Sequence, residues 1–156
     1  MNKCLWSPSK ERINQSNLKS FIIFLVEHYH YPENTFGYQD LHAWSLTNKE
    51  HFWKAIWEFF KVDGAMGKTI LTNGQLMPGA QWFPGAQLNF AQNLLKDFSS
   101  KSTISIIERG EHGRREEITF QELKDQVAKV RHYLLEQDVQ KGDCIAGFLP
   151  NSHHAI

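Results

Sequence analysis

Six consecutive residues, Gly64-Ala65-Met66-Gly67-Lys68-Thr69, carry the ingredients of a phosphate cradle, glycines that let backbone N–H groups converge and a lysine to neutralise charge. The spacing fails that chemistry. The first glycine of a complete phosphate loop would stand at Val62, and the segment before it has the pattern of an aromatic helix, not of a strand. Histidine offers general-base or metal-ligand chemistry, with eight residues that include His28, His30, His51 and the adjacent pair His153-His154. His28 and His30 cannot share a helix face, no His-Glu-x-x-His sequence occurs, and neighbouring histidines at a helix start point in different directions. Surface or packing roles are therefore expected for them. Arg109, Arg114 and Arg115 are a guanidinium cluster of the kind that grips the phosphates of a nucleotide or CoA, but the glycines and mixed signs of residues 108–117 fit a solvated hairpin tip. Trp6, Trp44, Trp53, Trp57 and Trp82 can stack on a base only if they are spared from core packing, which their spacing predicts instead. No Ser-His-Asp set, nucleophile elbow or paired-carboxylate site can be assigned. No residue has the type and spacing of a catalytic, cofactor-binding or metal-ligating group.

The elements that would position these residues fall into two regions. Ser7 before Pro8 has the form of an N-cap followed by proline at the first helical position, and Leu18, Phe21, Ile22, Leu25, Val26 and Tyr29 then recur at helical spacing up to Tyr31-Pro32. Thr47-Asn48-Lys49-Glu50 has the capping-box pattern and predicts a second helix, with an aromatic stripe of Phe52, Trp53, Ile56, Trp57, Phe59 and Phe60. Residues 63–85, punctuated by Asn73-Gly74, Met77-Pro78-Gly79 and Phe83-Pro84-Gly85, read as an ordered loop anchored by Trp82 and Phe83. Asn89 is placed to cap a short helix through Leu95, and the polar stretch 97–102 sets a boundary near residue 100. Beyond it, residues 103–108 and 116–118 are expected to form a hairpin. Thr119-Phe120-Gln121-Glu122 is a further capping box, opening a helix whose face is Phe120, Leu123, Val127, Val130 and Leu134. The apolar run 144–149 suits a buried strand, and Asn151 stands where the next helix would be capped. Such a strand needs parallel neighbours and a crossover helix that these residues do not encode, so the chain is expected to be an incomplete piece of a larger α/β domain.

Composition narrows the function classes. At 156 residues, 41% hydrophobic and 22% charged, the chain is in the globular range. Seventeen basic residues balance seventeen acidic ones, which leaves no positive excess to hold a nucleic acid backbone. No stretch approaches the roughly 20 apolar residues of a membrane span, and the first residues lack a signal h-region, so a cytoplasmic location is expected. Cys4 and Cys144 are expected to remain thiols there.

Leu5-Trp6-Ser7-Pro8-Ser9 with Ser16-Asn17-Leu18, the helix Phe52-Trp53-Lys54-Ala55-Ile56-Trp57-Glu58-Phe59-Phe60, and above all the stretch from Met77-Pro78-Gly79-Ala80-Gln81-Trp82-Phe83-Pro84-Gly85 to Asn89-Phe90-Ala91-Gln92-Asn93-Leu94-Leu95 resemble the acetoacetyl-CoA synthetases. The Trp-Phe-x-Gly-x-x-Leu-Asn core is shared with acetyl-CoA and propionyl-CoA synthetases, and the leading Leu-Trp segment and the Trp-Glu-Phe-Phe helix end favour the acetoacetate branch. Residues 118–123 and 141–151 are similar to the opening of the AMP-binding domain of adenylate-forming enzymes generally.

The resemblance implies a helical N-terminal cap over residues 1–100, and over residues 101–156 a hairpin, helix and strand that begin a mixed-sheet AMP-binding domain. It also implies a parent enzyme that uses ATP, CoA and Mg2+ to activate acetoacetate as an acyl-adenylate and pass it to the CoA thiol, with acetate or propionate as alternative acids. The phosphate loop, nucleotide-binding motifs and adenylation lysine of such enzymes lie further along, so no catalytic residue carries over and tight binding of these cofactors by residues 1–156 alone is not expected. The expected partners are the remainder of the AMP-binding domain and the parent's small substrates, with self-association of the exposed apolar surface. The alternative is a self-standing interaction or regulatory module.

Overall fold

The computed structural model describes residues 5–35, 37–96, 103–110 and 113–156. It separates into two compact units, Met1–Phe90 and Ala91–Ile156. The boundary expected near residue 100 falls in residues 97–102, outside the described residues, as do Cys4, Phe36, Glu111 and His112.

The first unit is built on four helices, α1 (Lys10–Asn14), α2 (Asn17–Tyr29), α3 (Tyr38–Thr47) and α4 (Lys49–Phe59). Serine hydroxyls start the first two. Ser9 Oγ accepts the N–H of Arg12, and Ser16 Oγ accepts that of Lys19, each satisfying a first-turn donor that the helix itself cannot pair. The expected cap at Ser7 is thus corrected to Ser9, two residues on. At its other end α2 stops at His30, which adopts the left-handed conformation (φ 54°) and lets the Tyr31 N–H return to the Leu25 carbonyl.

Two further corrections concern α3 and α4. The helix α3 was not anticipated, and Thr47, read as an N-cap, is its last residue, with its hydroxyl bonded back to the carbonyls of Ala43 and Trp44. Asn48 ends α3 and begins α4 at once. Its N–H and its side-chain amide both donate to the Trp44 carbonyl, while its own carbonyl accepts the Phe52 N–H. No side chain caps α4.

Phe21, Ile22 and Leu25 of α2, Leu41 of α3, Ala55 of α4 and Tyr31 form the buried core, flanked by Phe24, Trp44, Phe52, Ile56 and Phe59. Phe21 meets Phe52 and Phe59 edge-on, at centroid distances of 6.0 and 5.2 Å, the arrangement that aromatic quadrupoles favour. The aromatic stripe on α4 therefore divides its work. Phe52 and Phe59 face the core, whereas Trp53 and Trp57 receive the loop that follows.

That loop is ordered by two antiparallel ladders of two residues per strand, β1 (Gly64–Ala65) with β4 (Gln87–Leu88) and β2 (Leu71–Thr72) with β3 (Gln81–Trp82). Trp82 packs on Trp53 at 5.6 Å and Phe83 on Trp57 at 5.2 Å, so these two residues fasten the loop to α4. Glycine is required where backbones close on each other. A Cβ on Gly67, whose φ is +82°, would meet the Gly85 backbone at 3.0 Å.

The second unit holds most of α5 (Phe90–Leu94), the hairpin of β5 (Ile104–Arg109) and β6 (Arg115–Thr119), α6 (Phe120–Glu136) and the short 3₁₀ helix η1 (His153–Ala155). The hairpin lies where it was expected, with a register irregularity between Ile104 and Ile106. The capping box is complete: Thr119 Oγ1 accepts the Glu122 N–H at 3.2 Å, and the Glu122 carboxylate accepts the Thr119 N–H at 2.8 Å.

The remaining expectations here are corrected. Residues 144–149 form no strand, and Ile145, Phe148 and Leu149 are exposed, Phe148 fully at 106%. A strand exists only when a neighbour takes its hydrogen bonds, and residues 144–149 pair with neither outer edge of the two-stranded β5–β6 ladder. The expected cap at Asn151 is replaced by Ser152, which opens a single 3₁₀ turn without a side-chain cap bond. The α6 face has the predicted amphipathic spacing, yet Val127 and Val130 stay exposed and no α6 residue is buried. No helix among the described residues is long and apolar enough to cross a membrane.

Candidate functional site

The polar residues singled out in the sequence are distributed over separate places. Gly64 and Ala65 of the would-be phosphate cradle pair with Leu88 and Gln87, and no helix follows Lys68-Thr69 to present its N–H groups. Arg114 and Arg115 are taken up by Glu116 and Glu117 of their own hairpin, and Arg109 faces Arg115 across the ladder. Trp44 meets Tyr31 edge-on at 5.4 Å and Trp53 and Trp57 hold the loop, whereas Trp6 is exposed, with Arg12 over its ring. Cys144 is an exposed free thiol.

His28, His30 and His51 do converge, on one open cleft of about 470 Å³ with Tyr29, Lys54 and Glu58. The α2 C-terminus brings the first two and α4 the third. The Tyr29 hydroxyl donates to Glu58 Oε2 at 2.5 Å, and Lys54 Nζ lies 3.1 Å from Glu58 Oε1. Burial and the adjacent carboxylate push the Tyr29 phenol well above its ordinary range. Burial also works to raise the Glu58 carboxyl, but the Tyr29 hydroxyl and Lys54, with His28 behind them, outweigh it and hold the group low. The charge of Glu58 is thus spent on a phenol and an ammonium, a structural cross-link between α2 and α4.

The tightest constellation lies in the second unit. Glu108 on β5 and Glu116 on β6 are cross-strand partners, so both carboxylates leave the same face of the hairpin. His153 meets them from η1. Its backbone N–H donates to Glu108 Oε2 at 3.0 Å, its Nδ1 lies 2.7 Å from the same oxygen, and Glu116 Oε2 is 3.8 Å from Nδ1. The 2.7 Å contact requires a proton on Nδ1, since two lone pairs would repel there. The His153 side chain is only 7% exposed. Its backbone N–H first, and its ring second, hold the Glu108 carboxyl below the usual range.

Contrary to expectation, the two adjacent histidines do not diverge: their ring centroids are 3.8 Å apart. They nevertheless have different partners. Ser152 Oγ lies 3.4 Å from His154 Nδ1, whereas the carboxylate belongs to His153, so no serine, imidazole and carboxylate line up as a relay. Beside them, an apolar cavity of about 410 Å³ is lined by Leu123, Val127, Val130 and Leu134 of α6. The convergence of Glu108, Glu116 and His153 escaped the sequence reading because 45 residues separate Glu108 from His153.

Residues 38–94 match the family described as Acetyl-coenzyme A synthetase N-terminus. Over 152 residues, 97% of its length, the chain is 34% identical to an acetoacetyl-coenzyme A synthetase of Rhizobium meliloti (strain 1021), of which it covers 23%. It is 30% identical over 97% of its length to a malonamoyl-CoA synthetase of Penicillium aethiopicum, covering 21% of that protein. Among solved structures, an acetoacetyl-CoA synthetase from Streptomyces lividans superimposes with a TM-score of 0.83 at 34% identity, over 99% of this chain and 24% of that one. The chain thus spans about a quarter of the length of the relatives it matches. Similarity thus runs almost end to end in both sequence and fold, and what the chain is similar to is the N-terminal region of acetoacetyl-CoA synthetases.

Proposed function

We propose that residues 1–156 are the N-terminal portion of an AMP-forming acid-CoA ligase. The parent activates acetoacetate with ATP, releases pyrophosphate, and transfers the acyl group from the adenylate to CoA. The observation that carries this reading is the 34% identity over 97% of the chain to a relative named for that product. Mg2+ accompanies the ATP and neutralises phosphate charge. No residue of this chain enters the chemistry. Residues 1–100 act as a helical cap, and residues 101–156 open the mixed-sheet AMP-binding domain, in a cytoplasmic enzyme. Exposed Ile145, Phe148 and Leu149, with Val130 and Leu135 of α6, are the surface that the remainder of such a domain would cover.

The acyl group is the least local part of the reading. A relative that makes malonamoyl-CoA has a similar N-terminal region, which supports locating acid selection elsewhere in the protein. A chimaera tests both points. Residues 1–156 replace the matching segment of the Streptomyces lividans enzyme, and acetoacetate-dependent pyrophosphate release is followed alongside thermal melting. Activity within about tenfold of the parent, with acid preference unchanged, is expected. A chimaera that folds with the parent's melting temperature but has no acetoacetate-dependent turnover refutes the assignment.

A further inference from the structure

We propose that Glu108, Glu116 and His153 form a binding site for one divalent transition-metal ion of the zinc or cobalt class. Three features carry the inference independently of the ligase reading. Like charges directly opposite each other on a hairpin destabilise it, and Glu108 faces Glu116 in register; Arg114 engages only Glu116 Oε1, so a cation shared by the two Oε2 atoms would relieve the repulsion further. The third donor arrives from another element and is already nearly buried, with its ring fixed by a backbone N–H to Glu108 from the same residue. One nitrogen and two carboxylate oxygens lie within 4.8 Å of one another.

The distances suit the ion. Bonds of about 2.1 Å in tetrahedral geometry place donors about 3.4 Å apart. Nδ1 now lies 2.7 Å from Glu108 Oε2 and 3.8 Å from Glu116 Oε2, so the required distance falls between the two. Rotation of the two glutamate side chains, each with three torsions, supplies the adjustment. Binding takes the Nδ1 lone pair, so the ring proton that faces Glu108 moves to Nε2. A fourth position stays open to water.

The other charged groups around the site leave room for this. Arg114 engages Glu116 through Oε1, leaving Oε2 turned towards His153. Arg131 of α6 lines the neighbouring cavity with His153 and His154, and His154 stacks on the His153 ring. An imidazole with two carboxylates favours zinc, cobalt or manganese over magnesium or calcium, which prefer all-oxygen shells.

The test is titration of the 156-residue chain with Co2+, followed by its visible ligand-field absorption. One equivalent should bind, with displacement by Zn2+ but not by excess Mg2+. Glu116→Gln should weaken binding by about tenfold or more, and His153→Gln should do the same. Because His153 is buried, Glu116→Gln, on a partly exposed strand residue, is the decisive variant. The His28→Gln/His51→Gln double variant, which removes imidazoles from the cleft of the first unit, should leave the titration unchanged. No band at one equivalent, unaltered affinity in Glu116→Gln, or loss of the band in the double variant would each overturn the site.

Discussion

Truncation of Leu25 to alanine tests the account of the first unit most directly. Leu25 is 0% exposed and sits on α2 between Phe21, Ile22 and the α4 face. The substitution removes three carbons, worth about 2.4 kcal/mol at roughly 0.8 kcal/mol per buried methylene, and incomplete collapse of the cavity raises the loss to about 3–4 kcal/mol. With a urea slope of about 1.5 kcal/mol per molar for a unit of this size, the midpoint should fall by about 2 M. Tryptophan emission is the appropriate signal, since all five tryptophans lie at or before position 82 and report the first unit alone. Val130→Ala on α6, where the side chain is 59% exposed, provides the contrast and should cost less than about 0.5 kcal/mol. A midpoint shift under about 0.5 M for Leu25→Ala, or equal shifts for both variants, refutes the assignment of the core.

Thr119→Ala removes one arm of the capping box and should cost about 1 kcal/mol, visible in far-ultraviolet circular dichroism of α6 but not in tryptophan emission. Gly67→Ala forces a side chain onto a backbone at φ +82° and against Gly85, and should lower the thermal midpoint of the first unit, corresponding to about 1–3 kcal/mol. Because His153 depresses the folded pKa of Glu108, its contribution is complete above the ordinary glutamate range near about 4.3, and disappears as pH falls through the lower folded value. The stability gap between wild type and Glu108→Gln in metal-free buffer should therefore close on acidification. A gap of equal size at about pH 3 and pH 7 would show that Glu108 acts through something other than its charge.

Legibility in the sequence followed the range of the interactions. The hairpin and α6 were readable because their signals are local: Thr119 and Glu122 are three residues apart and complete each other's bonds. The same logic misled at Thr47, where two helices meet without a linker and a four-residue pattern of the capping type falls across their junction. Helix α3 escaped because Tyr38, Leu41 and Trp44 are widely spaced among polar residues, and Gly37 supplies no capping side chain. Residues 144–149 had the composition of a strand, but pairing is not a property of a segment taken alone. Glutamates 108 and 116 were not paired from the sequence, because the hairpin was expected without a register and the register is what sets them face to face. Nor was the imidazole between them, since nothing local in the sequence links position 153 to either.

Asn48 alone joins α3 to α4. It closes one helix and opens the next at φ −120° and ψ 48°, so the connection between them has no slack. Most helix pairs are joined by several residues that absorb changes in length at little cost. Here an inserted residue has nowhere to go except into the angle between α3 and α4, and that angle sets how Leu41 and Ala55 meet in the core. The junction therefore behaves as a mitred corner, and relatives that keep this core should tolerate length variation in the loop between α4 and α5 far more readily than at this single position.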